Sequence, residues 1–454
     1  MRLIDLAALA RTEPALASIA GQKSALISIP ESARPLILAA LAHSTSRHPI
    51  VIAAPTGTAA REIFADMSNF VSPHDIVLFP AWETLPFERV SPNIDTMGKR
   101  MEVLWRLRDS SRSPRFVITG VRALLQKLAP HANNVDPIVV RKSDTYNIDS
   151  LCERLVHDGY RRETLVEHRG EFSRRGAIVD VFPSTMDEPV RIDMWGDEVD
   201  RLTHFTVNDQ RSTDDIEHVE IFPARELLLT PDVRATAATL VGTEPWGREQ
   251  WERLSEGQTF DGMESWLPWL VTEQTLLTDF LSDDALMVMI EPRRMIDRAR
   301  DLLAEEEDLA KALATSWARD ATVQFPRLHT EPERLLSEAQ RFPTINVTTT
   351  PESPTSPSVS ASGWSPIVQN PEPIVRRIAE LLADKWCVIV LAETLSTVDR
   401  LVGLMREHGL EFQTATQETD LTKPGAYVVH AVMGRGVSLP HLKLALITKS
   451  VTVI

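Results

Sequence analysis

Residues 21–35 read Gly-Gln-Lys-Ser-Ala-Leu-Ile-Ser-Ile-Pro-Glu-Ser-Ala-Arg-Pro. The apolar run at 25–29 predicts a strand where an ATPase would open with its nucleotide loop. The turn after it holds no glycine and no Lys-Ser or Lys-Thr pair. A phosphate loop needs glycines so that several backbone N–H groups converge on the phosphates. It also needs a lysine to reach them and a hydroxyl to hold magnesium. Pro30 and Pro35 each remove a backbone donor instead. The stretch predicts the scaffold of a nucleotide-binding sheet without its nucleotide site, and function is to be sought on surfaces.

Outward from this stretch, residues 1–125 alternate strand and helix signals. Apolar runs at 25–29, 50–54, 76–79 and 116–119 are separated by helical patterns at 35–44, 58–70 and 96–108. That rhythm predicts a parallel α/β sheet. Residues 126–230 change character. A helix at 149–158 precedes short alternating segments at 177–182, 190–194, 201–207 and 219–223. They predict a smaller, mainly antiparallel α+β domain inserted into the first.

Residues 231–347 are helical in most places, interrupted by an apolar strand at 286–290. One such strand has too little sheet around it to fold alone, so it is expected to return and complete the first domain. A charged helix at 295–317 carries Glu305, Glu306, Glu307 and Asp308, expected to form a solvated face. Residues 348–371 are rich in Pro, Ser and Thr and predict a flexible linker. Residues 372–454 predict a second, small α/β domain, with helices at 373–385 and 395–408 and strands at 387–392, 426–431 and 444–448. The final Val451-Thr452-Val453-Ile454 shows no end cap, and a piece of a longer chain is expected.

A length of 454 residues suits roughly three domains, or four if some are small. A net charge of −16 argues against a chain devoted to coating nucleic acid, because phosphate neutralisation needs concentrated lysine and arginine. Cys152 and Cys387 stand far apart with no cysteine near either, which predicts neither a zinc site nor a disulfide framework and fits a reducing cytoplasm. No stretch of about 20 apolar residues is present, so no membrane span is expected.

Three constellations stand out. The first is Ala81-Trp82-Glu83-Thr84-Leu85-Pro86-Phe87-Glu88, followed by Ser91-Pro92-Asn93-Ile94-Asp95. It lies at the carboxyl end of a predicted strand, where α/β proteins place ligands. Its plainer reading is a rigid loop with Trp82 and Phe87 packed beneath it.

The second runs from Asp158-Gly159-Tyr160-Arg161-Arg162 to Glu167-His168-Arg169-Gly170-Glu171-Phe172-Ser173-Arg174-Arg175-Gly176. Gly170 and Gly176 suit turns bounding a short strand. Arginine forks recognise carboxylates bidentately and are favoured in partner interfaces. Phe172 and Phe182 are candidate apolar anchors, although Phe182 equally suits a core. A salt-bridged hairpin surface is the plainer alternative.

The third, Arg191 to Asp200, gathers four carboxylates, Asp193, Asp197, Glu198 and Asp200. Its spacing fits a strand, a Gly-Asp turn and a second strand, not a calcium loop. His168, His204 and His218 fall in different segments with no obvious nucleophile, so no acid–base triad is expected.

Together these segments resemble the N-terminal part of the bacterial transcription-repair coupling factors, the Mfd family. The resemblance covers nearly the whole chain. It rests on Trp82-Glu83-Thr84-Leu85-Pro86, Gly159-Tyr160-Arg161, Gly170-Glu171-Phe172, the run Arg175-Gly176-Ala177-Ile178-Val179-Asp180-Val181-Phe182-Pro183 and the Asp197-Glu198-Val199-Asp200 turn, in this order. The same region is similar to the excision-repair protein UvrB, whose family has a working phosphate loop where this chain has Ser28 to Pro35.

The resemblance implies a degenerate helicase-like parallel sheet domain, an inserted domain at 126–230 that recruits UvrA, and a small third α/β domain. For UvrA contact it points to Arg161, Arg169, Arg174, Arg175 and Phe182, with Phe172 as a neighbour. It implies no catalytic residue, cofactor or metal in this chain. Full-length members continue with an RNA-polymerase-interaction domain, a double-stranded-DNA translocase driven by ATP and magnesium, and a terminal domain that masks the UvrA-binding face. The expectation is a recruitment and autoinhibitory module, not itself an enzyme. The rivals are an autonomous nucleic-acid-binding ATPase related to UvrB, and an inert structural α/β module.

Overall fold

A computed structural model describes residues 3–85, 88–271, 274–314, 325–364, 372–416 and 418–448. Pro86, Phe87, the end of the expected charged helix at 315–317, residues 365–371 and the closing Val451-Thr452-Val453-Ile454 lie outside the described residues.

The first sheet has six parallel strands in the order Ser24–Ser28, Thr344–Thr348, Leu286–Ile290, Ile50–Ala54, Phe116–Gly120 and Ile76–Phe79. The strands Ile50–Ala54, Phe116–Gly120 and Leu286–Ile290 are buried at every position, which explains their unbroken apolar runs. Their side chains alternate between two cores. Ile50, Ile52, Val288 and Ile118 enter one, while Val51, Ala53, Met287 and Val117 enter the other. Each fully buried aliphatic side chain stabilises the fold by roughly 1.5–3 kcal/mol. The strands Leu286–Ile290 and Thr344–Thr348 separate Ser24–Ser28 from Ile50–Ala54, so the sheet closes only through the returning segment.

At the end of the Ser24–Ser28 strand, Arg34 stands where a phosphate cradle would open. It donates from Nη2 to Glu291 Oε1 at 2.6 Å and to Thr349 Oγ1 at 2.8 Å, and from Nε to the Ile29 carbonyl at 3.2 Å. A cation, a carboxylate and a hydroxyl satisfy one another there, on three separate segments of the chain.

Within the Pro/Ser/Thr-rich stretch, residues 357–363 are held by hydrogen bonds where the sequence predicts a flexible linker. The Ser28 amide donates to the Pro357 carbonyl at 2.8 Å, and the Val359 amide donates to the Ser28 carbonyl at 2.9 Å. Ser362–Gly363 then pairs with Val437–Leu439 in the third sheet. The physical reason is the exposed edge of Ser24–Ser28, whose unpaired backbone groups take this strap as a partner.

The inserted segment forms a second six-stranded sheet, in the order Ser212–Asp215, Glu198–Phe205, Val190–Trp195, Ile178–Val181, Glu171–Arg175 and Arg161–Arg162. Its pairings are antiparallel except for Arg161–Arg162 beside Glu171–Arg175. The helix Ile148–His157 starts where the Asn147 side chain accepts from the Ser150 amide at 3.0 Å, and it buries Leu151, Cys152 and Leu155. Ile138–Arg141 and His218–Ile221 pair antiparallel at the entry and exit of this segment.

Residues 231–281 stay out of the first sheet. Residues 231–271 build a helical cluster around Trp251, Trp266 and Leu254, which also buries Trp82, while Leu277, Phe280 and Leu281 pack into a core of the first sheet. The charged helix, Pro292–Ala314, contains one exception to its expected solvated face. Glu306 is buried, accepting from the Leu328 amide at 2.5 Å and meeting His329 Nδ1 at 2.9 Å. The chain that returns across it supplies partners for the carboxylate, which compensates its removal from water.

The third sheet packs on the first domain through one face. Cys387, Ile389, Leu391 and Leu446 share a core with Leu3, Leu6, Leu36 and Phe70. Its other face, including Val388, Val390 and Ile447, is covered by side chains of the helices Glu372–Ala383 and Leu395–Glu407. Polar ties reinforce the contact. The Gly434 amide donates to Asp66 Oδ1 at 2.9 Å, and Asn69 Nδ2 donates to the Val432 carbonyl at 2.8 Å.

Candidate functional site

The second constellation folds into the edge of the inserted sheet. Gly170 and Gly176 take φ of 80° and 63°, a left-handed backbone that favours glycine, and they bound the strand Glu171–Arg175. The register then sorts its side chains. Phe172 stands opposite Val181, and Arg174 opposite Val179, on the face under the helix Ile148–His157. Ser173 stands opposite Asp180, and Asp180 opposite Arg191, on the other face. Arg175 follows the alternation onto that second face, whose middle is buried, with Ser173 donating to the Thr164 carbonyl and Arg191 to the Gln210 carbonyl, and whose end around Arg175 is open.

This separates the predicted contact residues. Phe172 is fully buried in the core, so the sequence expectation of a surface neighbour is corrected. Arg174 lies on the helix side, where it pairs with Asp149 at the start of Ile148–His157. It does not share the open face with Arg175.

On the open face the arginines are held from below. Arg161 Nη2 reaches Glu171 Oε1 at 3.2 Å, with the arginine side chain 58% exposed and the glutamate 7%. The other oxygen of Glu171 accepts from the Glu167 and His168 amides at 2.9 and 2.8 Å. Arg175 pairs with Asp180, with the arginine 48% exposed and the aspartate 1%. Asp180 also accepts from Arg191 Nε at 2.7 Å and Nη2 at 3.0 Å. That hydrogen bonding holds the Arg191 guanidinium above its usual pKa. The buried carboxylates are satisfied internally, while the guanidinium groups of Arg161 and Arg175 keep donors facing outward.

Arg169 donates from Nε to the Met186 carbonyl at 2.7 Å and pairs with Asp187. Its guanidinium lies 5.5 Å from the centre of the Phe182 ring. Phe182 is itself buried, in a small cluster with Val166 and Phe205. A cavity of about 450 Å³ opens beside it, lined by Asn93, Arg161, His168, Arg169, Phe182 and Arg225 among others.

The first constellation works as scaffold. Trp82 Nε1 donates to Glu226 Oε2 at 2.7 Å, and Glu83 accepts from the Asn93 amide at 3.2 Å, at the cap of the helix Ile94–Leu107. The third forms the hairpin Trp195-Gly196-Asp197-Glu198. Among the described residues, no group of three or more His, Cys, Asp or Glu side chains could hold a metal ion. Burial raises the thiol pKa of both cysteines, that of Cys387 to about 12, which keeps them protonated at neutral pH.

Sequence reading missed the parts played by Glu171, Asp180 and Arg191. A signal was present for Asp180. A lone carboxylate inside the apolar run Ala177-Ile178-Val179-Asp180-Val181-Phe182 requires buried donors close by.

Residues 138–227 match the family model described as the UvrB interaction domain. The chain is 36% identical over 334 residues to the transcription-repair-coupling factor of Mycobacterium tuberculosis, covering 70% of this chain and 26% of that protein. It is 33% identical over 329 residues to that of Myxococcus xanthus, covering 68% and 27%. Against the Bacillus subtilis protein it is 25% identical over 441 residues, covering 92% and 37%. The matches thus span about a quarter to somewhat over a third of the length of these three relatives. It belongs to the bacterial transcription-repair-coupling factors and corresponds to their N-terminal region.

Proposed function

We propose that this chain is the recruitment and regulatory module of a transcription-repair coupling factor, and that the open face of its inserted sheet binds UvrA. One observation carries the reading. Arg161 and Arg175 stand exposed on that face over the buried Glu171 and Asp180, inside the segment that matches the UvrB interaction domain. Arginines already held in place lose little side-chain entropy when a partner's carboxylates dock.

The intact protein uses ATP-driven translocation on double-stranded DNA to displace stalled RNA polymerase, through domains other than these. A C-terminal domain covers the UvrA-binding face until recruitment. The module itself hydrolyses no ATP, a reading supported by the Arg34–Glu291 contact at the end of the first strand. It acts in the cytoplasm, in keeping with two free, buried cysteines. Among the described residues no helix is long and apolar enough to cross a membrane.

Calorimetric titration of UvrA into the chain tests the proposal. The Arg161→Ala/Arg175→Ala variant should lose roughly 2 kcal/mol or more of binding free energy, as for an interface hot spot. Equal affinity for variant and wild type would remove this face from the account.

A further inference from the structure

Trp195 is 82% exposed, more than any other large apolar side chain among the described residues. Its direction follows from the strand register. Met194 points into the core opposite Val199, so Trp195 points the other way, as Asp193 and Arg191 do. Asp193 stands opposite Ile178, and Ile178 opposite Arg175. Trp195 therefore lies on the same open face as Arg161 and Arg175. Arg175 lies two residues along and two strands across from Trp195, about 7 Å and 10 Å, while Arg161 lies six residues along and three strands across, about 20 Å and 14 Å, so Arg175 is the near neighbour of the indole and Arg161 stands at the far end of the same sheet face.

The indole is mounted on a braced hairpin. Gly196 makes the turn with φ of 64°. The loop before the helix Ile148–His157 then grips the tip. The Tyr146 amide donates to the Asp197 carbonyl at 2.7 Å, the Ser143 amide to the Val199 carbonyl at 2.8 Å, and the Val199 amide to the Asp144 carbonyl at 2.9 Å. A large aromatic held this way loses little conformational freedom on burial, which is what an interface anchor requires. Its surroundings set the partner's chemistry. Glu198 stands opposite Trp195 and Asp193 two residues before it on the same face, in a hairpin that also carries Asp197 and Asp200, while the nearby Arg201 is paired with Asp215. This acidic tip repels phosphates and disfavours stacking on nucleic-acid bases.

We propose that Trp195 is the apolar anchor of the recruitment face. It enters an apolar slot on the partner protein, whose carboxylates meet Arg161 and Arg175 and whose basic side chain meets Glu198. This rests on the reading of that face as the UvrA-binding surface, and it adds a residue that decides affinity.

The test titrates UvrA into the wild-type chain and into Trp195→Ala, Trp195→Phe and Arg161→Ala/Arg175→Ala, with hydroxyl-radical footprinting of the wild-type complex. Trp195→Ala should bind about 30-fold more weakly, as expected of a buried hot-spot aromatic. Trp195→Phe should stay within about threefold, since a second aromatic fills most of the slot. Oxidation of Trp195 should fall on binding. Full affinity in Trp195→Ala with weakened binding in the arginine variant would overturn the anchor and leave the recruitment face standing. A wild-type chain that fails to bind UvrA would remove both. Unchanged oxidation of Trp195 in the complex, or binding of a single-stranded DNA oligonucleotide that Trp195→Ala abolishes, would also overturn the anchor. If Trp195→Ala does not fold, the phenylalanine variant and the footprint decide.

Discussion

Arg100 and Glu226 form an ion pair with both side chains fully buried, Nε to Oε2 at 2.7 Å and Nη2 to Oε1 at 3.1 Å. It joins the helix Ile94–Leu107 of the first domain to the segment that leaves the inserted domain. Trp82 donates to the same carboxylate, and Arg100 also donates to the Pro80 carbonyl at 2.8 Å. Removing one partner strands a charge out of water, so Arg100→Met should destabilise the chain by about 3–5 kcal/mol. Arg100→Met/Glu226→Leu should recover part of that loss. Urea unfolding checks both, and a single variant within about 1 kcal/mol of wild type would contradict the expectation.

Phe172 and Arg161 lie close in sequence and should respond oppositely. Phe172→Ala opens a cavity in the core and should cost about 3–5 kcal/mol of stability. Arg161→Ala removes a largely exposed side chain and should change stability by about 1 kcal/mol at most, while weakening UvrA binding. Thermal unfolding run beside the binding titration separates a folding defect from a contact defect.

Magnesium-ATP should leave the unfolding midpoint unchanged. A nucleotide bound to the folded state at a hundred times its Kd would stabilise it by about 2.7 kcal/mol, a readily visible shift. Arg34 donates to Glu291 and Thr349 at the position where the phosphates would be cradled. A saturable upward shift that Arg34→Ala alters would place a nucleotide at this end of the sheet.

His131 makes stability depend on pH. Burial lowers its pKa from 6.5 to about 4, opposed by its hydrogen bond to the Glu226 carbonyl. Between these values the unfolded chain binds more protons than the folded one. Stability therefore falls as pH drops from about 6.5 towards 4, by up to about 3 kcal/mol from this group. His131→Gln should flatten that part of the curve relative to wild type. Parallel curves from pH 7 to 4 would show that His131 does not contribute the slope.

The sequence made legible the elements whose burial is uniform. Ile50–Ala54 and Leu286–Ile290 are covered on both faces and read as apolar runs. Thr344–Thr348 also sits inside the sheet, yet its alternating threonines and Asn346 carry no such run. Ser212–Asp215 is fully exposed at a sheet edge and contains no apolar residue to mark it. At the candidate site, glycine spacing and arginine content pointed to a hairpin, which forms between Glu171–Arg175 and Ile178–Val181. They did not assign faces, because alternation separates neighbours without telling which side packs under a helix. Arg174 and Arg175 differ by one position, and only pairing with Val179 and Ile178 sends one under a helix and the other into the open. The strap at 357–363 was illegible for a related reason, since serine and proline content says nothing of a neighbouring edge that accepts them.

The antiparallel ladder of Ile138–Arg141 with His218–Ile221 carries a consequence for ancestry. It brings the two ends of the insert side by side, so the segment enters and leaves its host through one narrow neck. The family match begins at residue 138, the first position of that ladder, and runs to 227. A cassette bounded in this way is transplantable.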